Sequence, residues 1–365
     1  MTTTTTTTTR PSALRPSTLR VVVASPLSEE LCRLIERAEP RLDLVRDQTL
    51  LPPMRHPADY RGDPAFRRTP AQQAAFEALV DSADVLYGIP DVDPDALRRT
   101  AQANPKLRWV QLMAAGGGAQ VKAAGLGDDD LARVAFTTSA GVHGGPLAEF
   151  ALFGILAGAK RLPQLQQQQH EHDWPARRPL GQVRDQTVLL VGLGGIGREI
   201  ARLTHALGMH VIGARRAGSS STVDHVDEYV SIDDLAEHAA RADAIVVSLP
   251  GTDATEGLVG AAVFATARPG VTVVNVGRGT VIDEAALTLA LQNGQVGFAA
   301  LDVFATEPLA ADSALWDLPN VLVSPHTAAL DPGEERRIAE LFAENATALL
   351  DGRPLRNEVD TVEFY

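Results

Sequence analysis

Residues 188–201 read Val-Leu-Leu-Val-Gly192-Leu-Gly194-Gly195-Ile196-Gly197-Arg-Glu-Ile-Ala, a short apolar run that meets three glycines at G-x-G-x-x-G spacing and passes straight into a helical pattern. Each glycine has its own physical reason in such a turn. Gly192 permits the tight strand-to-helix reversal, Gly194 lets backbone approach a pyrophosphate, and Gly197 lets the helix pack closely on the strand. Gly195 and Ile196 fill the first helical turn, where free N–H groups and the helix dipole favour phosphate. Three spaced glycines alone make a common turn. Flanked by an apolar strand and a helix in this order, they predict a dinucleotide site.

The remainder of the chain narrows the class. A length of 365 residues with 45% hydrophobic content suffices for two domains with cores of their own. The formal net charge of −13 argues against sequence-independent nucleic-acid binding, which needs clustered lysine and arginine. A single cysteine, Cys32, rules out an internal disulfide framework and suits a reducing compartment, so a cytoplasmic location is expected. Cys32 itself reads as a small apolar residue on a helix face. Residues 1–18, dominated by threonine, read as a disordered tail without the apolar core of a secretory signal. The apolar stretch over residues 147–159 carries Glu149 and falls short of the roughly 20 residues that span a bilayer, so no membrane segment is expected. No metal site is expected either.

Apolar runs alternating with helical segments predict an α/β chain with parallel sheets. Residues 19–24 form a buried strand, and Ser28-Glu-Glu-Leu-Cys-Arg-Leu-Ile begins a capped amphipathic helix. Residues 52–70, rich in proline, arginine and aspartate, form a loop, and further strands follow near 84–89, 107–113 and 134–138. Residues 146–165 read as one long helix, followed by a polar link through the glutamines at 166–169 and Trp174, which either closes over the cleft or, the preferred reading, packs within the link. Two doubly wound parallel-sheet domains result, with residues 141–327 as the dinucleotide-binding domain. The final amphipathic helix, with Ile338, Leu341, Phe342, Leu349 and Leu350 at helical spacing, is expected to return to the first domain, so residues 19–140 and 328–365 together form the other unit.

The chemistry falls at strand ends. A site that prefers NAD places a carboxylate about 20 residues past the glycines, on the ribose hydroxyls. Here that position reads Gly213-Ala214-Arg215-Arg216-Ala217, with two guanidiniums able to fork onto a 2′-phosphate, which argues for NADP over NAD. Downstream, Asn275-Val276-Gly277-Arg278-Gly279 sets an arginine between glycines just past a buried strand. Its planar fork and permanent charge suit a substrate carboxylate and a polarised carbonyl. Two further strand ends carry Asp302-Val-Phe-Ala-Thr-Glu307-Pro and Ser-Pro-His326-Thr-Ala. A histidine oriented by a carboxylate is what proton donation to a ketone oxygen requires.

The glycine motif, Val-Gly-Arg278-Gly, Asp-Val-Phe-Ala-Thr-Glu307-Pro and Ser-Pro-His326-Thr-Ala, in this order, resemble the D-isomer-specific 2-hydroxyacid dehydrogenase family over roughly residues 105–357. The resemblance implies a Rossmann nucleotide-binding domain inserted in a flavodoxin-like substrate domain, homodimers, and reduction of a small 2-oxoacid by NADPH or NADH. Arg278 would bind substrate and polarise its carbonyl, His326 would act as general acid/base, and Glu307 as its partner. Leu249, Pro250, Val276, Gly277 and Asp302 would contact the cofactor, Asp302 near the nicotinamide carboxamide. The run Trp109-Val-Gln-Leu-Met-Ala-Ala115-Gly116-Gly117-Gly118 resembles the family's carboxylate-binding loop, but where members often continue Ala-Gly-Val-Asp this chain has consecutive glycines. A nucleotide-sensing co-regulator without turnover is the alternative of another class. A formate- or phosphite-type dehydrogenase is the alternative enzyme, disfavoured because formate sites in this superfamily carry glutamine where Glu307 stands.

Overall fold

The computed structural model describes residues 18–365 except 57, 220, 221, 363 and 365, so nearly all of the threonine-rich tail lies outside the described residues. The chain divides into two compact units, one running up to Val142 and resuming at Pro332, the other spanning His143–Asp331.

In the first unit, β1 (Leu19–Val23), β2 (Leu42–Val45), β3 (Val85–Tyr87), β4 (Trp109–Gln111) and β5 (Ala135–Thr137) form a parallel sheet in the order β2-β1-β3-β4-β5. That is the flavodoxin-like order. Apart from the edge strand β2, the strands are short apolar runs buried on both faces, as a parallel sheet between helices requires. Helices α1 (Glu29–Ala38), α2 (Pro70–Val80), α3 (Pro94–Ala103), α4 (Gly118–Ala124) and α5 (Asp128–Arg133) connect them. Ser28 caps α1, its hydroxyl accepting from Leu31 N–H at 3.3 Å. Cys32 lies fully buried on that helix, and burial pushes its thiol up to about 11. The described residues between 52 and 69 lie in no helix or strand.

The second unit carries β6 (Thr187–Val191), β7 (His210–Arg215), β8 (Glu228–Ser231), β9 (Ala244–Val247), β10 (Val271–Asn275), β11 (Val296–Leu301) and β12 (Val321–Val323). They pair in the order β12-β11-β10-β9-β6-β7-β8, all parallel. The order reverses between β6 and β9, the switch point at which doubly wound sheets bind ligands. Helices α6 (Gly144–Ala159), α7 (Leu162–Glu171), α8 (Gly195–Ala206), α9 (Leu235–Ala239), α10 (Ala261–Thr266) and α11 (Glu284–Gln292) belong to this unit. Helix α6 approaches β10 so closely that a Cβ on Gly158 would lie 2.0 Å from Thr272 Oγ1.

The single helix expected over residues 146–165 is two. Helix α6 ends at Ala159, Arg161 takes a left-handed φ of 52°, and α7 restarts with Pro163 in its first turn. The ring of Pro163 would clash with the carbonyl four residues earlier in a continuous helix, but is tolerated at a helix start. The glutamines at 166–169, expected as a polar link, therefore lie within α7. Trp174 does not pack in the link, since it is 97% exposed.

The last helix, α12 (Glu334–Asp351), belongs to the first unit, where Ile338, Leu341, Phe342 and Leu350 join the core. Phe342 stacks on Trp109 at 4.7 Å and meets Tyr87 edge-on at 5.1 Å.

Candidate active site

The glycine turn sits at the end of β6, beside the switch point. Gly192 has φ 110°, open to glycine and strained for other residues. A Cβ on Gly197 would lie 2.1 Å from the Gly192 carbonyl oxygen, so only glycine lets α8 begin this close to the strand. The helix runs twelve residues from Gly195, and its first N–H groups, Gly195, Ile196 and Gly197 among them, have no acceptor within the helix. Ser248 Oγ donates to Gly192 O at 3.1 Å, fixing the turn against the end of β9. Leu249 Cδ2 would lie 3.0 Å from a Cβ on Gly192, and Leu249 O 2.5 Å from one on Gly277. The turns after β6, β9 and β10, with Leu249, Pro250, Val276 and Gly277, thus lie against one another at the carboxyl edge. The first amides of α8 and the bare glycine backbone beside them fit a dinucleotide pyrophosphate.

At the end of β7, Arg215 is half-buried with its guanidinium 4.2 Å over the ring of Tyr229, while Arg216 is exposed. No carboxylate occupies the strand end, which reads Ala214-Arg215-Arg216.

Arg278 follows β10 with its side chain exposed. Its loop is shaped by Asn275, which sequence reasoning missed. The buried Asn275 amide donates to Arg278 O at 3.0 Å and accepts from Gly277 N–H at 3.0 Å, spending both ends of one side chain on the turn. Arg278 Nη1 donates to Gly277 O at 2.8 Å. A Cβ on Gly279 would lie 1.8 Å from the carbonyl carbon of Phe304, so the arginine loop rests directly on the loop after β11.

That second loop carries Asp302 and Glu307. Asp302 is 1% exposed, and its Oδ1 accepts from Ser324 Oγ at 2.6 Å, Thr327 N–H at 2.9 Å and Ala328 N–H at 3.0 Å. Its backbone carbonyl accepts from His326 N–H at 2.9 Å. One aspartate therefore gathers the loop after β12 around His326, which sits at a left-handed φ of 56°. Ser324 and Thr327 are further residues that sequence reasoning missed; their only signal is a cluster of small polar residues around the histidine.

His326 and Glu307 meet. Nδ1 of the imidazole donates to Glu307 Oε2 at 2.7 Å, and Glu307 Oε1 accepts from Phe304 N–H at 3.0 Å. Burial alone raises the Glu307 carboxyl, but the hydrogen bond from His326, the Phe304 N–H and the charges of His326 and Arg278 outweigh it. The carboxyl is held below the usual range and stays ionised. Nδ1 is committed to Glu307, which leaves Nε2 as the ring nitrogen able to exchange a proton with a ligand. Arg278, Glu307 and His326 come from the ends of three adjacent strands, β10, β11 and β12. Ala115, Gly116 and Gly117 lie in the other unit, where Ala115 and Gly116 are exposed between β4 and α4.

Residues 152–328 match the family model of the D-isomer specific 2-hydroxyacid dehydrogenase NAD binding domain. A glyoxylate reductase from Aeropyrum pernix is 32% identical over 305 residues, covering 79% of this chain and 87% of that protein. A D-3-phosphoglycerate dehydrogenase from Archaeoglobus fulgidus is 35% identical over 214 residues, but this chain spans only 40% of its length. Among solved structures, a D-isomer specific 2-hydroxyacid dehydrogenase from Xanthobacter autotrophicus, in complex with NADPH and MES, superposes with a TM-score of 0.73 at 28% identity. That match covers 95% of this chain and all of the other. With the glycine turn, the strand-end arginine and the paired histidine and glutamate in place, the chain belongs to the D-isomer specific 2-hydroxyacid dehydrogenase family.

Proposed function

We propose that this protein is an oxidoreductase that interconverts a small 2-oxoacid and its D-2-hydroxyacid, with NADPH preferred over NADH. The observation that carries the reading is the 2.7 Å contact of His326 with an ionised Glu307 that also feels the charge of Arg278. The nicotinamide, when bound, supplies or accepts the hydride. The residues of this chain do the rest. Arg278 engages the substrate carboxylate and polarises the carbonyl, lowering the cost of charge on its oxygen. His326 gives its Nε2 proton to that oxygen on reduction, or removes it on oxidation. Glu307 stabilises the imidazolium and fixes the ring, and Asp302 holds the backbone from which the histidine projects. Ala115, Gly116 and Gly117 are assigned to the carboxylate on the family resemblance alone.

The glyoxylate reductase relative supports a small substrate, and the NADPH-bound neighbour supports the cofactor, as do Arg215 and Arg216 in place of an acidic residue. The reading extends to a homodimer. Phe153, Leu165, Trp174 and Leu180 are exposed large apolar side chains within one short stretch of the second unit, which suits a covered surface. It also places the protein in the cytoplasm, where a lone buried thiol stays reduced. Among the described residues, no helix is long and apolar enough to cross a membrane.

Steady-state kinetics with glyoxylate, pyruvate, hydroxypyruvate and phenylpyruvate against both cofactors test the assignment. His326→Ala is expected to lower kcat by roughly 10²- to 10⁴-fold while NADPH binding survives, the range for losing a general acid. Turnover unchanged in that variant, or no oxoacid turned over by the parent, refutes it.

A further inference from the structure

We infer that Tyr229 is a specificity-determining positioning residue: it holds the Arg215 guanidinium in place for the 2′-phosphate of NADP. The inference rests on the NADP reading and deepens it. Tyr229 lies on β8, in register with Gly213 of β7, two residues before Arg215 at the strand end. The Arg215 guanidinium carbon is 4.2 Å from the centre of the tyrosine ring, within the range of a cation–π contact. The far end of the ring is fixed too. Tyr229 Oη accepts from Val223 N–H at 2.6 Å and donates to Val223 O at 2.8 Å, so one hydroxyl satisfies both backbone groups of a residue only 7% exposed.

Just past β7, Ser219 N–H donates to Arg216 O at 3.2 Å in a turn. The phenol is clamped between its own strand, the Val223 backbone and a guanidinium. A clamped ring offers a fixed platform, and an arginine lying on it has fewer rotamers to lose when its fork meets phosphate oxygens. Arg216 has no such support. It is exposed on the turn, so Tyr229 distinguishes the arginine that is preset from the one that is not.

The test measures binding of 2′,5′-ADP and of 5′-AMP to the full chain by calorimetry, with no turnover required. Arg215→Ala should weaken 2′,5′-ADP at least tenfold and leave 5′-AMP within twofold. Two ring-less variants, Tyr229→Leu and Tyr229→Met, should weaken 2′,5′-ADP about two- to fivefold, the loss of a partly exposed cation–π contact, again with 5′-AMP unchanged. Tyr229→Phe keeps the ring but releases its clamp at Val223, and should bind 2′,5′-ADP with an affinity between those of the parent and the ring-less variants. The KM for NADPH should rise in the ring-less variants while that for NADH stays put. Equal weakening of both nucleotides by the ring-less variants would make Tyr229 a merely structural residue and overturn the inference. So would an effect of Arg215→Ala without any effect of Tyr229→Leu or Tyr229→Met. If Arg215→Ala leaves 2′,5′-ADP binding intact, the NADP reading itself fails.

Discussion

Replacing Asp302 should loosen the loop that presents His326, and the structure bounds the size of the effect. Its Oδ1 accepts three hydrogen bonds, from Ser324 Oγ and from the backbone N–H groups of Thr327 and Ala328, all at 3.0 Å or less. Hydrogen bonds to a charged group contribute about 1.5–3 kcal/mol each, which sets an upper bound for the three of about 9 kcal/mol. They share one oxygen, and removing the carboxylate also relieves the cost of keeping a charge buried, so the net loss is far smaller. Asp302→Ala should cost about 3–4 kcal/mol, and Asp302→Asn, which retains an amide oxygen in the same place, about 1–2 kcal/mol. Urea unfolding followed by circular dichroism, on protein without cofactor, separates this role from any contact with the nicotinamide. Hydrogen exchange at Thr327 and Ala328 should speed up in Asp302→Ala more than at the strand β12 amides. An Asp302→Ala protein within 1 kcal/mol of the parent, with those amides still protected, would refute the argument.

Glu307 and Gly197 make sharper demands on pH and on space. The folded Glu307 carboxyl is held below its ordinary value, so its contribution to stability is complete above the unfolded value of about 4.3 and is lost as pH falls through the lower folded value. The stability difference between the parent and Glu307→Gln should therefore still be present at pH 5.5 and shrink below about pH 4. A difference that disappears between pH 7 and 5.5 contradicts the assignment. In Gly197→Ala the new methyl meets the Gly192 carbonyl oxygen at 2.1 Å, so the turn must open. The protein should fold with NADPH affinity reduced at least tenfold by fluorescence titration; unimpaired binding would mean that the turn does not carry the phosphates.

Much of the site was readable because its residues stand where apolar runs stop. Gly192, Arg278, Glu307 and His326 each follow an apolar strand, and strand ends in a parallel sheet converge on one edge whatever the loops between them do. The supporting residues were not readable in the same way. Asn275 falls inside the apolar run that makes β10, where it reads as one polar interruption, and its partners appear only once the chain folds over it. Tyr229 acts on Arg215 and Val223 through side-chain geometry that no periodicity encodes. The break between α6 and α7 did have a signal, Pro163, but its helix-ending force was outweighed by the apolar pattern on either side. Trp174 shows the opposite failure: an aromatic residue suggested packing, and nothing among the described residues covers it.

The aromatic stack on α12 bears on how the chain comes off the ribosome. The five-stranded sheet is synthesised first, with Tyr87 and Trp109 on strands that are complete early, yet their partner Phe342 follows only after the whole second unit has been made. That second unit is one uninterrupted segment and contains all of its own strands, so it can close its core as it emerges. The first unit cannot: it must hold two large apolar rings without their cover until the last turns of the chain arrive, and closing so long a loop slows its completion. Nascent chains stalled before residue 342 should therefore engage chaperones through the strands of the five-stranded sheet, and a lesion in α12 will be felt in strands made before the whole second unit.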